Sequence, residues 1–72
     1  MALTKLKFWR LQRGIRQFEM AKKLAVHETL LSKLEAGFVL PTEAMLQKAA
    51  GILDVKPEQL RGEVIDLNYG KE

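Results

Sequence analysis

The stretch KKLAVHETLLSKLEAG, near the middle of the chain, constrains the fold most strongly: its residues favour helix, yet it cannot form a single amphipathic helix. At about 100° per residue, Leu24 and Leu31 fall on one apolar stripe, and Glu28 and Glu35 fall on the same stripe. Burying two carboxylates would carry a large desolvation cost or force protonation. We therefore predict two helices with a break near Ala25, Val26 and His27. The break frees Glu28 to face outward, whereas Glu35 still needs a partner.

Apolar spacing and end signals predict three helices in the first half of the chain. Helix one ends at Gly14, helix two covers about 17–24, and helix three covers about 28–36 and ends at Gly37. The apolar residues whose spacing indicates the first two helices are Leu3, Leu6, Trp9, Phe18, Ala21 and Leu24.

The second half of the chain predicts two more helices. Thr42 is the expected N-cap of helix four, and Pro57 fits the first position of a short helix five that Gly62 ends. The fold class is therefore all-α, a compact domain of five helices over residues 1–62. Residues 63–72 change character and form a short C-terminal tail, either a dimerisation arm or a disordered end. Expected core residues are Met20, Leu24, Leu31, Leu34 and Leu46, with Met45, Ala49 and Leu53 in helix four.

Composition excludes several classes of protein. Seventy-two residues suit one small domain, and the absence of cysteine rules out disulfides and thiolate metal sites. No apolar run is long enough to span a membrane, and no secretion signal begins the chain, so we expect a cytoplasmic protein. We find no pairing of nucleophile and base, no glycine-rich phosphate loop and no acidic pair in an evident cleft. We therefore expect no enzymatic activity, metal, cofactor or small-molecule ligand.

Positive charge is concentrated in the first third of the sequence. Residues 1–24 contain seven basic residues and one acidic residue, whereas residues 25–41 carry a net charge of −1 and residues 42–72 a net charge of −2. This asymmetry suits a polyanion approaching one side of the domain, although scattered lysines are also typical of an ordinary solvated surface.

The combined motifs resemble the Cro and repressor helix-turn-helix family, also called the XRE family, over about residues 3–61. The resemblance rests on WR in helix one, QFEMAKKLAV across helix two and the turn, LLSKLEAG in helix three, then a proline and AAGILDV. It implies a fold like that of lambda repressor, in which helix three lies in the major groove of double-stranded DNA.

The resemblance also implies site residues. Helix three reads bases from its start and about one turn later, and Gln17 matches the family's phosphate-contacting glutamine. The family pairs an arginine of helix one with the glutamate that ends helix three, and this pairing gives Glu35 its partner, Arg10. The residues expected to read bases are Glu28, Thr29, Ser32 and Lys33. The residues expected to contact phosphates are Arg13, Arg16, Gln17 and Lys22.

Three features depart from the family pattern. Ala25 stands where the turn usually has glycine, which tolerates a positive φ. Arg16 and His27 replace the usual serine or threonine N-caps. Residues 38–40 (FVL) are apolar in a loop that is often polar or basic, so this loop either packs against a partner or folds back onto the core.

The sequence therefore predicts a sequence-specific DNA-binding transcriptional regulator, a repressor that binds a near-palindromic operator as a homodimer. One alternative is an antitoxin-like or restriction-control protein that binds DNA and a partner protein. Another is a protein-interaction module that uses the helix-turn-helix only as a scaffold. The residues expected at a dimer or partner interface are Phe38, Val39, Leu40, Leu60, Val64 and Ile65, with Leu67 and Tyr69 further along the tail.

Overall fold

The structure, a computed structural model, describes residues 2–61 and 64–66 of the chain. In that part the four α-helices are α1 (Lys5–Gln12), α2 (Gln17–Leu24), α3 (Glu28–Ala36) and α4 (Glu43–Leu53). A 3₁₀ turn follows at Pro57–Gln59. Two strands, β1 (Ala2–Thr4) and β2 (Val64–Asp66), pair antiparallel with Leu3 opposite Ile65. The compact helical domain is confirmed, and the small sheet ties the start of the first helix to the end of the described chain.

The prediction of five helices is wrong, because the fifth segment forms only a 3₁₀ turn. The backbone N–H of Leu60 donates to the carbonyl of Pro57 at 2.9 Å, an i to i+3 bond. At its start, the Gln59 side chain accepts from the backbone N–H of Lys56 at 2.9 Å. So few residues separate Pro57 from the next glycine that a second helical turn has no room to form, and one turn of α-helix is unfavourable to nucleate.

Helix one begins later than the apolar spacing predicts. Thr4 is the N-cap of α1, and its hydroxyl accepts from the backbone N–H of Lys7 at 3.3 Å. Leu3 therefore lies in β1 and not in the helix. Thr42 caps α4 in the same way, through the backbone N–H of Met45 at 3.2 Å.

The helices pack around one apolar core. The predicted core residues Met20, Leu24, Leu31, Leu34 and Leu46 are all buried, as are Ala49 and Leu53 of α4, whereas Met45, also predicted there, is only partly buried. Phe18 behaves differently from its apolar neighbours in α2, because 53% of its surface is exposed. The buried positions of α2 are 20, 21 and 24, and position 18 is turned away from them by the 3.6-residue period.

The predicted break in the central stretch is confirmed, and Ala25 carries it. Helix α2 ends at Leu24, and Ala25 adopts the left-handed conformation with φ 60° and ψ 43°. The backbone N–H of Val26 then donates to the carbonyl of Ala21 at 3.0 Å, which closes the helix end. Neither Arg16 nor His27 caps a helix with its side chain, although Glu19 accepts from the backbone N–H of Arg16 at 2.9 Å.

We expect Ala25→Gly to raise the free energy of unfolding by about 0.5–1 kcal/mol, because glycine adopts a positive φ without the steric cost that alanine has there. Thermal denaturation should show a melting temperature higher by several degrees. Ala44→Gly is the matched control, since Ala44 is exposed within α4 and the same change in a helix should lower stability. Equal losses in both variants would contradict the expected strain.

Candidate nucleic-acid interface

A buried ion pair fixes helix α3 against helix α1. Arg10 Nε lies 2.5 Å from Glu35 Oε2, and Arg10 Nη2 donates to Glu35 Oε1 at 3.1 Å. The two side chains are only 8% and 2% exposed. Arg10 Nη1 also donates to the carbonyl of Ile15 at 2.7 Å, so the guanidinium holds the connection after α1 as well. This bidentate geometry provides the partner that Glu35 needs in a buried position.

Glu35 is also bound from two further elements. Gln17 Nε2, in the first turn of α2, donates to Glu35 Oε1 at 3.1 Å. The hydroxyl of Thr4 donates to the backbone carbonyl of Glu35 at 2.7 Å. Helix α3 is therefore held by α1, α2 and the end of β1 from its inner side. Its outer face is left for other contacts.

The outer face of α3 presents the four residues predicted to read bases. Glu28, Thr29, Ser32 and Lys33 are all exposed, at the spacing of neighbours on one helix face. Together with Gln17 they line one shallow, open depression between α3 and the start of α2. The fold thus brings a predicted phosphate contact and all four predicted base contacts to one surface.

The other residues predicted to contact phosphates lie in different places. Arg16 is the exposed N-cap of α2 and directly precedes Gln17, whereas Lys22 is exposed further along α2. Arg13 is the C-cap of α1, and its side chain reaches the end of α4 instead. Its Nε donates to the carbonyl of Leu53 at 2.7 Å, and its Nη2 donates to the carbonyl of Asp54 at 3.3 Å. Its guanidinium also lies 5.1 Å from the centre of the Trp9 ring. Two cations of the basic N-terminal third, Arg10 and Arg13, therefore have structural partners.

The apolar loop after α3 is open to solvent. Phe38 is 82% exposed, Leu40 86% and Val39 36%, so Phe38 and Leu40 do not fold back onto the core. Leu60 is buried in the core and offers little surface to a partner. Val64 and Ile65 lie in β2, paired with β1 of the same chain, and the tail residues 67 and 69 lie outside the described residues.

An exposed ion pair on α4 contrasts with the buried one. Arg61 Nη1 donates to Glu43 Oε1 at 2.7 Å, and both side chains are about half exposed. The Arg61 guanidinium, through these hydrogen bonds, holds the pKa of the Glu43 carboxyl below its usual value. The pair joins the start of α4 to the residues after the 3₁₀ turn and lies outside the depression on α3.

Comparison with known proteins decides the family. A helix-turn-helix family model matches residues 6–60, which is most of the chain. The chain belongs to the helix-turn-helix family. The predicted Cro and repressor type is confirmed, with α2 and α3 as the two helices of the motif. No curated protein sequence matches the chain.

Two solved structures are similar to this helix-turn-helix chain. The crystal structure of SinR, the master regulator for biofilm formation, in complex with DNA is 29% identical with a TM-score of 0.72. That match covers 79% of this chain and 95% of the SinR chain. The N-terminal DNA-binding domain of SinR from Bacillus subtilis is 30% identical with a TM-score of 0.71, and the match covers 81% of this chain and 86% of that one.

Membership in this family also bears on enzymatic activity. The helix-turn-helix family is one of DNA-binding domains and not of enzymes, so the prediction that the chain is not an enzyme is confirmed.

In the part of the chain that the structure describes, no helix is both long and apolar enough to cross a membrane. The same residues form no cluster of three histidine or acidic side chains suited to a metal ion.

The sequence did not reveal the link between Gln17 and Glu35, the cap formed by Thr4, or the exposure of Phe18. Thr4 carries a recognisable signal, since threonine just before a helical segment is a typical N-cap. The bond from Gln17 to Glu35 carries none, because it joins residues 18 positions apart through the tertiary fold.

Proposed function

We propose that this protein is a transcriptional regulator that binds specific sequences of double-stranded DNA by placing α3 in the major groove. The observation that carries this proposal is the common surface of Gln17, Glu28, Thr29, Ser32 and Lys33. A helix held firmly on its inner side and lined with exposed polar groups on its outer side suits base reading, because the major groove admits one α-helix. The similarity to SinR, which has been crystallised with DNA, supports the same function.

The proposed base contacts follow from side-chain chemistry. Lys33 donates to O6 and N7 of guanine, and Glu28 accepts from the exocyclic amine of cytosine. The methyl group of Thr29 contacts the methyl group of thymine, and Ser32 donates to or accepts from either kind of base edge. All four side chains are exposed, so a base edge displaces only water from them.

The proposed phosphate contacts come from the start of α2. Gln17 is the first residue of α2, where backbone N–H groups and the helix dipole attract an anion. Its side-chain amide has two N–H groups, and one already donates to Glu35, so the other serves the phosphate. Arg16, the N-cap of α2, and Lys22, within α2, add positive charge. Arg13 is the weakest member of the set, because it already binds two carbonyl groups.

We also propose that the protein acts as a repressor and binds a near-palindromic operator as a dimer. Two copies of α3, separated by one turn of the DNA double helix (about 34 Å), would read the two half-sites. The surface we propose for the second copy is the loop of Phe38, Val39 and Leu40, whose exposure is unusual for three consecutive apolar residues. Pairing of that loop would remove its apolar surface from water.

Selection of bound duplexes from a random DNA pool tests the function. We expect enrichment of a near-palindrome, and binding that weakens steeply as salt rises because phosphate neutralisation releases counterions. If no sequence is enriched even at low salt, the helix-turn-helix serves only as a scaffold and the proposed function is wrong.

The exposed loop favours a second candidate function, an antitoxin-like or restriction-control protein that binds another protein as well as DNA. Sedimentation of the pure protein distinguishes a loop that pairs with a second copy of the chain from a loop that binds a different protein. We expect a dimer that the double variant Phe38→Ser/Leu40→Ser converts to a monomer with an unchanged far-UV circular dichroism spectrum, because these two side chains pack little within the chain. A wild-type monomer at high concentration, on and off DNA, would contradict dimerisation and favour a different protein partner.

A further inference from the structure

Phe18 is the one large apolar residue of α2 that the core leaves exposed, at 53% of its surface. It directly follows Gln17 and lies one helical turn before Lys22, so it shares a helix face with that cation. Its ring borders a second open depression, whose apolar walls come from Ala21 and Val26. About half of the surface of Phe18 therefore makes no contact within the chain.

This second depression is continuous with the base-reading surface. Glu28 lines both, and Gln17 and Phe18 are neighbours in the first turn of α2. Lys22 lies on the border of the second depression. An apolar wall beside a lysine matches the outer edge of a DNA strand, where the carbons of each deoxyribose lie beside an anionic phosphate.

We propose that Phe18 packs against a deoxyribose of the DNA backbone while Lys22 contacts the adjoining phosphate. This inference rests on the proposed function, because it extends the same DNA surface from α3 onto α2. We assign the ring to the backbone sugar and not to a base, because the residues that flank it, Gln17 and Lys22, are themselves proposed backbone contacts. The contact therefore adds affinity without adding sequence preference.

Salt dependence of binding to one fixed duplex, the sequence that selection enriches, separates this apolar contact from a charge effect. We expect Phe18→Ala to lower affinity about tenfold, in keeping with the apolar area that a phenyl ring can bury. The slope of log K against log salt should not change, since an apolar contact releases no counterion. We expect Phe18→Lys to make that slope steeper by about 0.9, because the new cation would lie beside a phosphate.

Leu11 provides the matched control. It lies on α1, is 52% exposed and lines neither depression. Leu11→Ala therefore truncates an apolar side chain, and Leu11→Lys introduces a cation, at a residue about as exposed as Phe18 but outside the proposed DNA surface. We expect neither Leu11 variant to change affinity or slope as the Phe18 variants do. Melting temperatures of all four variants should remain close to wild type, since both residues are exposed.

The outcomes distinguish this inference from the proposed function. If wild type binds no duplex, the proposed function fails. If wild type binds and Lys33→Ala weakens it, but Phe18→Ala binds as wild type does, only the role of Phe18 is overturned. A loss in Phe18→Ala that changes the salt slope, or an altered base preference when the selection is repeated with this variant, would also overturn the sugar contact.

Discussion

Glu35→Ala should lower the free energy of unfolding by about 3–5 kcal/mol, the usual consequence of removing one partner from a buried ion pair. The substitution leaves the guanidinium of Arg10, a residue that is only 6% exposed, without its carboxylate, and it also deprives Gln17 of its acceptor. At about 0.05–0.15 kcal/mol per residue, a domain of 72 residues is stable by about 4–11 kcal/mol, so this loss removes a large share of the total. Chemical denaturation with urea measures the change directly.

Two control variants test whether the loss of stability in Glu35→Ala comes from the buried ion pair. Glu43→Ala removes the carboxylate of the exposed pair with Arg61 and should change stability little, because water screens such pairs. The double variant Arg10→Met/Glu35→Leu replaces both buried charges with apolar groups and should recover much of the loss. If Glu35→Ala and Glu43→Ala cost the same, the buried pair does not hold α3 as described.

Lys33→Ala should relax the base preference at one position of each half-site and weaken binding to the preferred duplex by about 1–3 kcal/mol. The expected loss is large because a lysine that donates to both acceptors of guanine has no substitute once it is truncated. Repeating the selection with the variant identifies the position, and titration of the preferred duplex gives the loss of affinity.

Lys48→Ala is the matched control for Lys33→Ala. Lys48 is exposed on α4, lines neither depression and carries the same charge, so any general effect of net charge should appear in both variants. We expect the control to keep the full base preference. A uniform loss of affinity in Lys33→Ala, with every preference retained, would show that Lys33 contacts a phosphate and not a base.

Local sequence patterns predicted most of the helical frame. The break before Glu28 follows from the cost of burying carboxylates, and the glycine and threonine signals at Gly37 and Thr42 mark helix ends that the structure reproduces. The partner of Glu35 came from the family resemblance, because no local pattern identifies an arginine 25 residues away.

Other features depend on contacts that a short window does not contain. The pairing of β1 with β2 joins the two ends of the described chain, about 60 residues apart. Leu3 has the spacing of a helical residue, yet this pairing draws it into a strand. Phe18 fits a three-residue apolar repeat, but an eight-residue helix has too few turns for such a repeat to define its buried face.

The contacts of Glu35 have a consequence for the motions of α3. Its side chain and carbonyl are bound from β1, α1 and α2, so α3 cannot detach alone without breaking the bidentate ion pair and two further hydrogen bonds at once. Amide hydrogens at the core of α3 should therefore exchange with solvent only when the whole domain unfolds. The backbone of a helix that is already ordered in this way loses little conformational entropy on binding, so the entropic cost that remains is the ordering of its exposed side chains.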